Sequence, residues 1–133
     1  VEACNVASID KNIMELKYRY KTLVGEKGVT LSGGQKQRLC IARAIIRRPQ
    51  ILILDDALSA VDTNTEKEII RNLGNYSKGI TTIVISHRIS SFIKADNIFI
   101  LDKGRIENSG THRELIKKSD IYKSIYKIQK LEE

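Results

Sequence analysis

Two aspartates, Asp55 and Asp56, directly follow the apolar run Ile51-Leu52-Ile53-Leu54. Ionised carboxylates next to buried apolar residues are costly unless a cation or hydrogen-bond donors satisfy them. A magnesium ion carried by a nucleotide suits such a pair; the structural alternative is an aspartate pair capping a loop. Upstream, Ser32-Gly33-Gly34 offers a hydroxyl and two unhindered amides where a helix is expected to begin. Free N–H groups and the helix dipole favour an anion there, and glycine allows phosphate oxygens to approach closely. Ordinary helix starts share this pattern. His87 follows the run Thr82-Ile83-Val84-Ile85-Ser86. A single histidine is more often structural, but at the carboxyl end of a strand it is a candidate partner for a γ-phosphate. His112 stands at an expected exposed helix start and is given no role.

These residues need elements to hold them. Val6, Ile9, Ile13 and Leu16 recur at helical spacing, which predicts a helix over residues 3 to 17. A loop with Gly25 and Gly28 follows. Ser32 with Gln35 three residues on is a capping box, so a helix starts there and runs to about Ile46, with Leu39, Ala42, Ile45 and Ile46 on one face. Pro49 stops it. Ile51 to Leu54 reads as a strand buried on both faces, hence part of a parallel sheet covered by helices. Thr63 with Glu66 marks a helix that ends before Gly74, and Thr82 to Ile85 is a second buried strand. A short helix over 89 to 94 and a third strand over Asn97 to Leu101 follow. Asp102-Lys103-Gly104 turns the chain into a hairpin, and Thr111 with Glu114 caps a terminal helix. Strand, helix, strand, helix, strand predicts an α/β fold with parallel strands. In such sheets, ligands sit at the carboxyl ends of the strands, where Asp55 and His87 fall.

Bulk properties set the limits. At 133 residues the chain has room for about one domain. No apolar run approaches the ~18 residues of a membrane span. No segment has the form of a signal peptide. The first residue is Val1, which falls inside an element, so the chain reads as a fragment. Cys4 and Cys40 lack metal-ligand spacing and read as reduced thiols. The net charge of +7 raises nucleic acid or an anionic membrane as partners, but the Lys and Arg residues are scattered. The runs Arg47-Arg48 and Lys117-Lys118 read as solvated helix ends, and no nucleic-acid partner is expected.

In order and spacing, these pieces resemble one family, the ATP-binding cassette (ABC) ATPases. Leu31-Ser32-Gly33-Gly34-Gln35 resembles the signature motif, continued by Lys36-Gln37-Arg38. Ile51 to Asp55 resembles the Walker B strand, Ser59-Ala60-Val61-Asp62 the D-loop, and Ile85-Ser86-His87-Arg88 the switch-histidine segment. Val24-Gly25-Glu26-Lys27-Gly28, Lys103-Gly104-Arg105-Ile106 and Gly110-Thr111-His112 are similar to segments of the exporter branch. The resemblance implies a P-loop NTPase-like parallel sheet with helices, plus part of an α-helical subdomain. Residues 1–48 would belong to that subdomain, and 49–133 to the C-terminal half of the catalytic core.

The resemblance also implies roles. Two such domains close head to tail around two ATP molecules. Leu31, Ser32, Gly33, Gly34 and Gln35 would face the γ-phosphate of ATP held by the partner domain. Asp55 would hold Mg2+, His87 would contact the γ-phosphate, and Asp62 would lie at the dimer seam. Glu26 would touch the transmembrane domains, with the whole placed on the cytoplasmic face of a membrane. Asp56 stands where the family's catalytic base is Glu, so this chain's own Walker B site is expected to be weak, as in exporters built from two different halves. The phosphate-binding pattern G-x-x-x-x-G-K-[S/T] is absent: Gly74 and Gly79 have the glycine spacing, but Ile80 stands in place of Lys. The isolated chain is therefore expected to be inactive. Two other readings stay open: a truncated non-catalytic product, and a DNA-maintenance ATPase of the ABC type, whose long heptad arms have no counterpart here.

Overall fold

A computed structural model describes residues 1–25, 27–76 and 78–131. The chain forms two compact units, Val1–Ser86 and His87 onward.

The first unit runs α1 (Glu2–Val6), α2 (Asp10–Glu15), α3 (Gly33–Ile45), β1 (Ile51–Asp55), α4 (Thr63–Tyr76) and β2 (Thr81–Ile85). The single helix expected over 3 to 17 is two helices. Ser8 takes a φ of +50°, which ends α1, and Ile9 donates back to the Cys4 carbonyl at 2.9 Å. Arg38 of α3 donates to the Ser8 carbonyl. The break carries Ala7 and Ile9 into the core, both essentially fully buried.

Helix α3 starts at the expected capping box: Gln35 N–H donates to Ser32 Oγ at 3.2 Å, and Ser32 N–H donates to Gln35 Oε1 at 3.0 Å. Its buried face is Ile41, Ala42 and Ile45, whereas Ile46 lies past its end and is exposed. Helix α4 is capped by Asp62 rather than Thr63. The Asp62 carboxylate accepts the Thr65 N–H at 3.0 Å, and Glu66 is buried instead of completing a box. The helix runs through Gly74 to Tyr76, whose hydroxyl donates to the Ile45 carbonyl at 2.7 Å.

Strands β1 and β2 pair in parallel with Asp55 opposite Ile85. Leu52 and Leu54 point into a core shared with Ile9, Ile41, Ile45, Ile69 and Leu73. The other face is not buried as expected: Ile51, Ile53, Ile83 and Ile85 are 59%, 60%, 44% and 51% exposed. The core draws α1, α3 and α4 onto one face of the pair, and the isoleucines of the other face stay about half exposed.

The second unit holds β3 (Ile98–Asp102), β4 (Arg105–Gly110), α5 (His112–Lys118) and α6 (Asp120–Leu131). β3 does not extend the parallel sheet; it pairs antiparallel with β4. The two-residue loop between Asp102 and Arg105 has Lys103 at φ +46° and Gly104 at +74°, the left-handed pair that a tight hairpin requires. The helix expected over 89 to 94 is a 3-10 turn at Ile89–Ser91. Thr111 and Glu114 form the expected box at α5. Ile89, Ile98, Leu115 and Tyr122 make this unit's core. Among the described residues no helix is long and apolar enough to cross a membrane.

Candidate functional site

The capping box at Ser32 leaves a defined set of donors. It consumes the Ser32 and Gln35 amides, and Lys36 N–H bonds the Ser32 carbonyl at 2.9 Å. The N–H groups of Gly33 and Gly34, in the first turn of α3, have no acceptor among the described residues. The cap uses a lone pair of the Ser32 oxygen, so its O–H is still able to donate. A hydroxyl and two adjacent amides at the positive end of a 13-residue helix are a donor set suited to an anion. Leu31 lies just outside, half-buried, on an apolar cavity of about 410 Å³ that it lines with Ile9, Ile13, Leu16 and Leu39.

The same helix start packs on the loop that follows β1. A Cβ on Gly34 would lie 2.7 Å from the Ala60 carbonyl oxygen, whereas one on Gly33 would meet only the Ala60 methyl at 3.5 Å. Gly34 is thus required by close packing within the chain. Gln37, one turn on, completes the junction. Its Nε2 donates to Ser59 Oγ at 2.9 Å, with the Asp56 carbonyl at 3.4 Å, and its Oε1 accepts the Ala60 N–H at 2.8 Å. Ser59 Oγ donates in turn to the Asp56 carbonyl at 3.0 Å. Leu58 and Val61, both buried, anchor this loop to the core.

Asp55 ends β1 on the open face of the sheet, and Asp56 continues the ladder by donating its N–H to the Ile85 carbonyl at 2.9 Å. Both are exposed, and neither carboxylate has a partner among the described residues. The desolvation argument for a cation therefore fails here: water already solvates both groups. What remains is two adjacent carboxylates, which fits Mg2+, an ion that keeps waters and phosphate oxygens alongside one or two protein ligands. Asp56 takes a φ of +45°. Asp62 is exposed, and the Thr65 backbone N–H, followed by its side chain, lowers its carboxyl below the usual range.

The structure thus joins Ser32, Gly33, Gly34, Gln35, Asp56 and Asp62 through one junction between α3 and the loop 56–62. His87 lies in the second unit, two residues beyond the end of β2. Its ring is exposed, while its carbonyl accepts from Gln129 Nε2 at 2.7 Å. Glu26, the expected membrane-domain contact, lies outside the described residues. Gln37 was missed as a site residue, although it stands three and four positions after Gly34 and Gly33, on the same helix face. Gln129 carries no local signal, being 42 residues from His87.

A parallel strand pair ending in exposed carboxylates, joined to a helix start with two unclaimed amides, is an α/β arrangement with the donors to take a phosphate. Comparison with known proteins gives the following. The family model for "ABC transporter" matches residues 5–59. The chain is 49% identical over 132 residues to the multidrug resistance-like ATP-binding protein MdlA of Buchnera aphidicola, covering 98% of this chain and 23% of that protein. It is 52% identical to the ABC transporter ATP-binding protein YknU of Bacillus subtilis, covering 97% and 22%. A structure of a bacterial Atm1-family ABC exporter with ATP bound superposes with a TM-score of 0.85 at 39% identity, covering 96% of this chain and 22% of that one. Over nearly its whole length the chain is similar to ABC transporter ATP-binding proteins, with its matches on the exporter side. It spans about a quarter of the length of these relatives.

Proposed function

We propose that this chain is part of the ATP-binding domain of an ABC exporter that couples ATP binding and hydrolysis to transport across a membrane. The observation that carries this reading is the helix start at Ser32, where Ser32 and Gly33 are exposed, the Gly33 and Gly34 amides are unclaimed among the described residues, and Gly34 packs on the loop that follows the carboxylate strand. Residues 1–48 then form the signature-bearing helical subdomain, and 49–133 the catalytic core. The partner is a second ATP-binding domain, identical or different, set head to tail. Transmembrane domains meet this chain near Glu26, at the cytoplasmic face.

In that arrangement Gly33 and Gly34 N–H and the Ser32 O–H donate to the γ-phosphate of ATP held by the partner domain. Donors fixed before the reaction stabilise developing charge without reorganising. Asp55 supplies a carboxylate for Mg2+, which when bound neutralises phosphate charge. His87 donates to the γ-phosphate of the nucleotide on this chain's own side, and Asp56 accepts a proton from the attacking water there. Asp62, at the seam, answers to the partner while capping α4. A sound signature beside a shortened base fits a pair of unlike halves.

The two glycines allow a clean test. A Cβ at position 33 meets no backbone and glutamate suits the first turn of a helix, yet it sets a carboxylate beside the amides proposed to hold the phosphate. Gly33→Glu in the full-length protein is expected to keep its Tm and abolish stimulated hydrolysis. Gly34→Ala drives a methyl into the Ala60 carbonyl and is expected to lower Tm, by about 1–3 kcal/mol of stability. Full ATPase activity in a folded Gly33→Glu protein would refute the assignment of this turn.

A further inference from the structure

The backbone on either side of Arg88 is gripped by one side chain of α6. Gln129 Nε2 donates to the His87 carbonyl at 2.7 Å, and the Ile89 N–H donates to Gln129 Oε1 at 2.9 Å. Donor meets acceptor at both ends of the amide, so neither end is interchangeable with the other. The grip fixes the path of the chain from His87 into the 3-10 turn Ile89–Ser91, where Ile89 is buried. His87 projects an exposed ring with no described partner of its own, so only its backbone is held. On the other side, α6 is seated by Tyr122, fully buried in the second unit's core and joined through its hydroxyl to His112 Nδ1 at 2.8 Å.

Resting on the reading of His87 as a γ-phosphate contact, we propose that Gln129 is its positioning residue. The side-chain amide sets the His87 turn in its working orientation, and the seating of α6 is thereby transmitted to the histidine. Gln129 touches neither nucleotide nor metal; it acts through the backbone of residues 87 to 89. These two hydrogen bonds contribute to holding a turn whose histidine ring has no described partner, so their loss leaves the ring present and loosens its aim. The signature of that defect is a lower kcat at an unchanged KM for ATP.

The test compares four full-length proteins: wild type, Gln129→Leu, His87→Ala and the double variant. Leucine keeps the helix propensity and volume of the half-buried Gln129 while removing both hydrogen bonds. Gln129→Leu is expected to lower kcat about five- to tenfold, leave KM within about twofold, and quicken hydrogen exchange of the Ile89 amide in nucleotide-free protein about fivefold or more. The double variant should hydrolyse ATP at the rate of His87→Ala alone, since the two act as one unit. Wild-type kcat in Gln129→Leu, unchanged exchange at Ile89, or a double variant slower than His87→Ala would each overturn the assignment. Undiminished hydrolysis in His87→Ala would instead sink the reading of His87 itself, and the exchange rate would still decide whether Gln129 holds the turn.

Discussion

At φ +45° Asp56 occupies the left-handed region, which short polar side chains tolerate far better than longer ones. Glutamate there gains one methylene of reach and gives up some of that ease. Reach dominates in catalysis, because a displacement of about 1 Å costs on the order of a hundredfold. Asp56→Glu in the full-length protein is therefore expected to raise kcat about tenfold or more, with a slightly lowered Tm. Steady-state turnover beside a thermal melt checks both, and unchanged turnover would remove position 56 from the role of base. At this scale the sequence was most readable where chemistry is local. Ser32, Gly33 and Gly34 need only the helix start that Gln35 marks, and Asp55 needs only the strand before it. The contact that makes Gly34 obligatory, with Ala60, closes over twenty-six positions and leaves no mark on the residues between. The exposure of Asp55 and Asp56 was likewise hidden, because burial depends on which helices reach which face of the sheet.

Capping made the elements legible, and capping also misdirected the reading once. The boxes at Ser32 and Thr111 form as their spacing predicts. At α4 two candidates stand side by side, and Asp62 takes the cap from Thr63 because its carboxylate reaches the Thr65 N–H. That donor, and then the Thr65 side chain, holds the Asp62 carboxyl below its ordinary range. A depressed folded value means the charged cap stabilises the fold above the usual carboxyl range, near 3.9, and that this contribution fades as pH falls through the lowered value. Asp62→Asn keeps a capping oxygen without the charge. Its stability is expected to fall slightly below wild type near neutral pH and to match it in acid, read from denaturation midpoints across a pH series. A gap of constant size from neutral to acid would show that the charge contributes nothing. The break at Ser8 had no such cue: apolar spacing carries straight through it, and only the burial of Ala7 and Ile9 explains why the chain turns there.

For the whole molecule, the decisive feature is an imbalance between the two faces of the β1–β2 pair. Leu52 and Leu54 sit in a core built with α1, α3 and α4, while Ile51, Ile53, Ile83 and Ile85 face outward in register, with Ile53 directly opposite Ile83. A run of β-branched residues promised a strand covered on both sides, and the strand is present with half its cover. The sequence signalled how apolar the strand is but not which neighbours the described chain supplies. Four isoleucines on two short strands, which among the described residues pair only with each other, form a surface on which a second copy can both pack and pair. A polypeptide of residues 1–133 alone is expected to self-associate through this face. Replacing the facing pair, Ile53→Thr with Ile83→Thr, keeps β-branching and so strand propensity while removing apolar area from the centre of the patch. Sedimentation and light scattering should show the doubly substituted polypeptide shifted toward monomer, with circular dichroism unchanged. In a protein as long as the relatives, which exceed this chain about fourfold, the same pair should lower the melting temperature if the added segments bury that face. Equal self-association of the two polypeptides would place the sticky surface elsewhere, and an unchanged melting temperature in the full-length protein would mean the isoleucines stay in water there too.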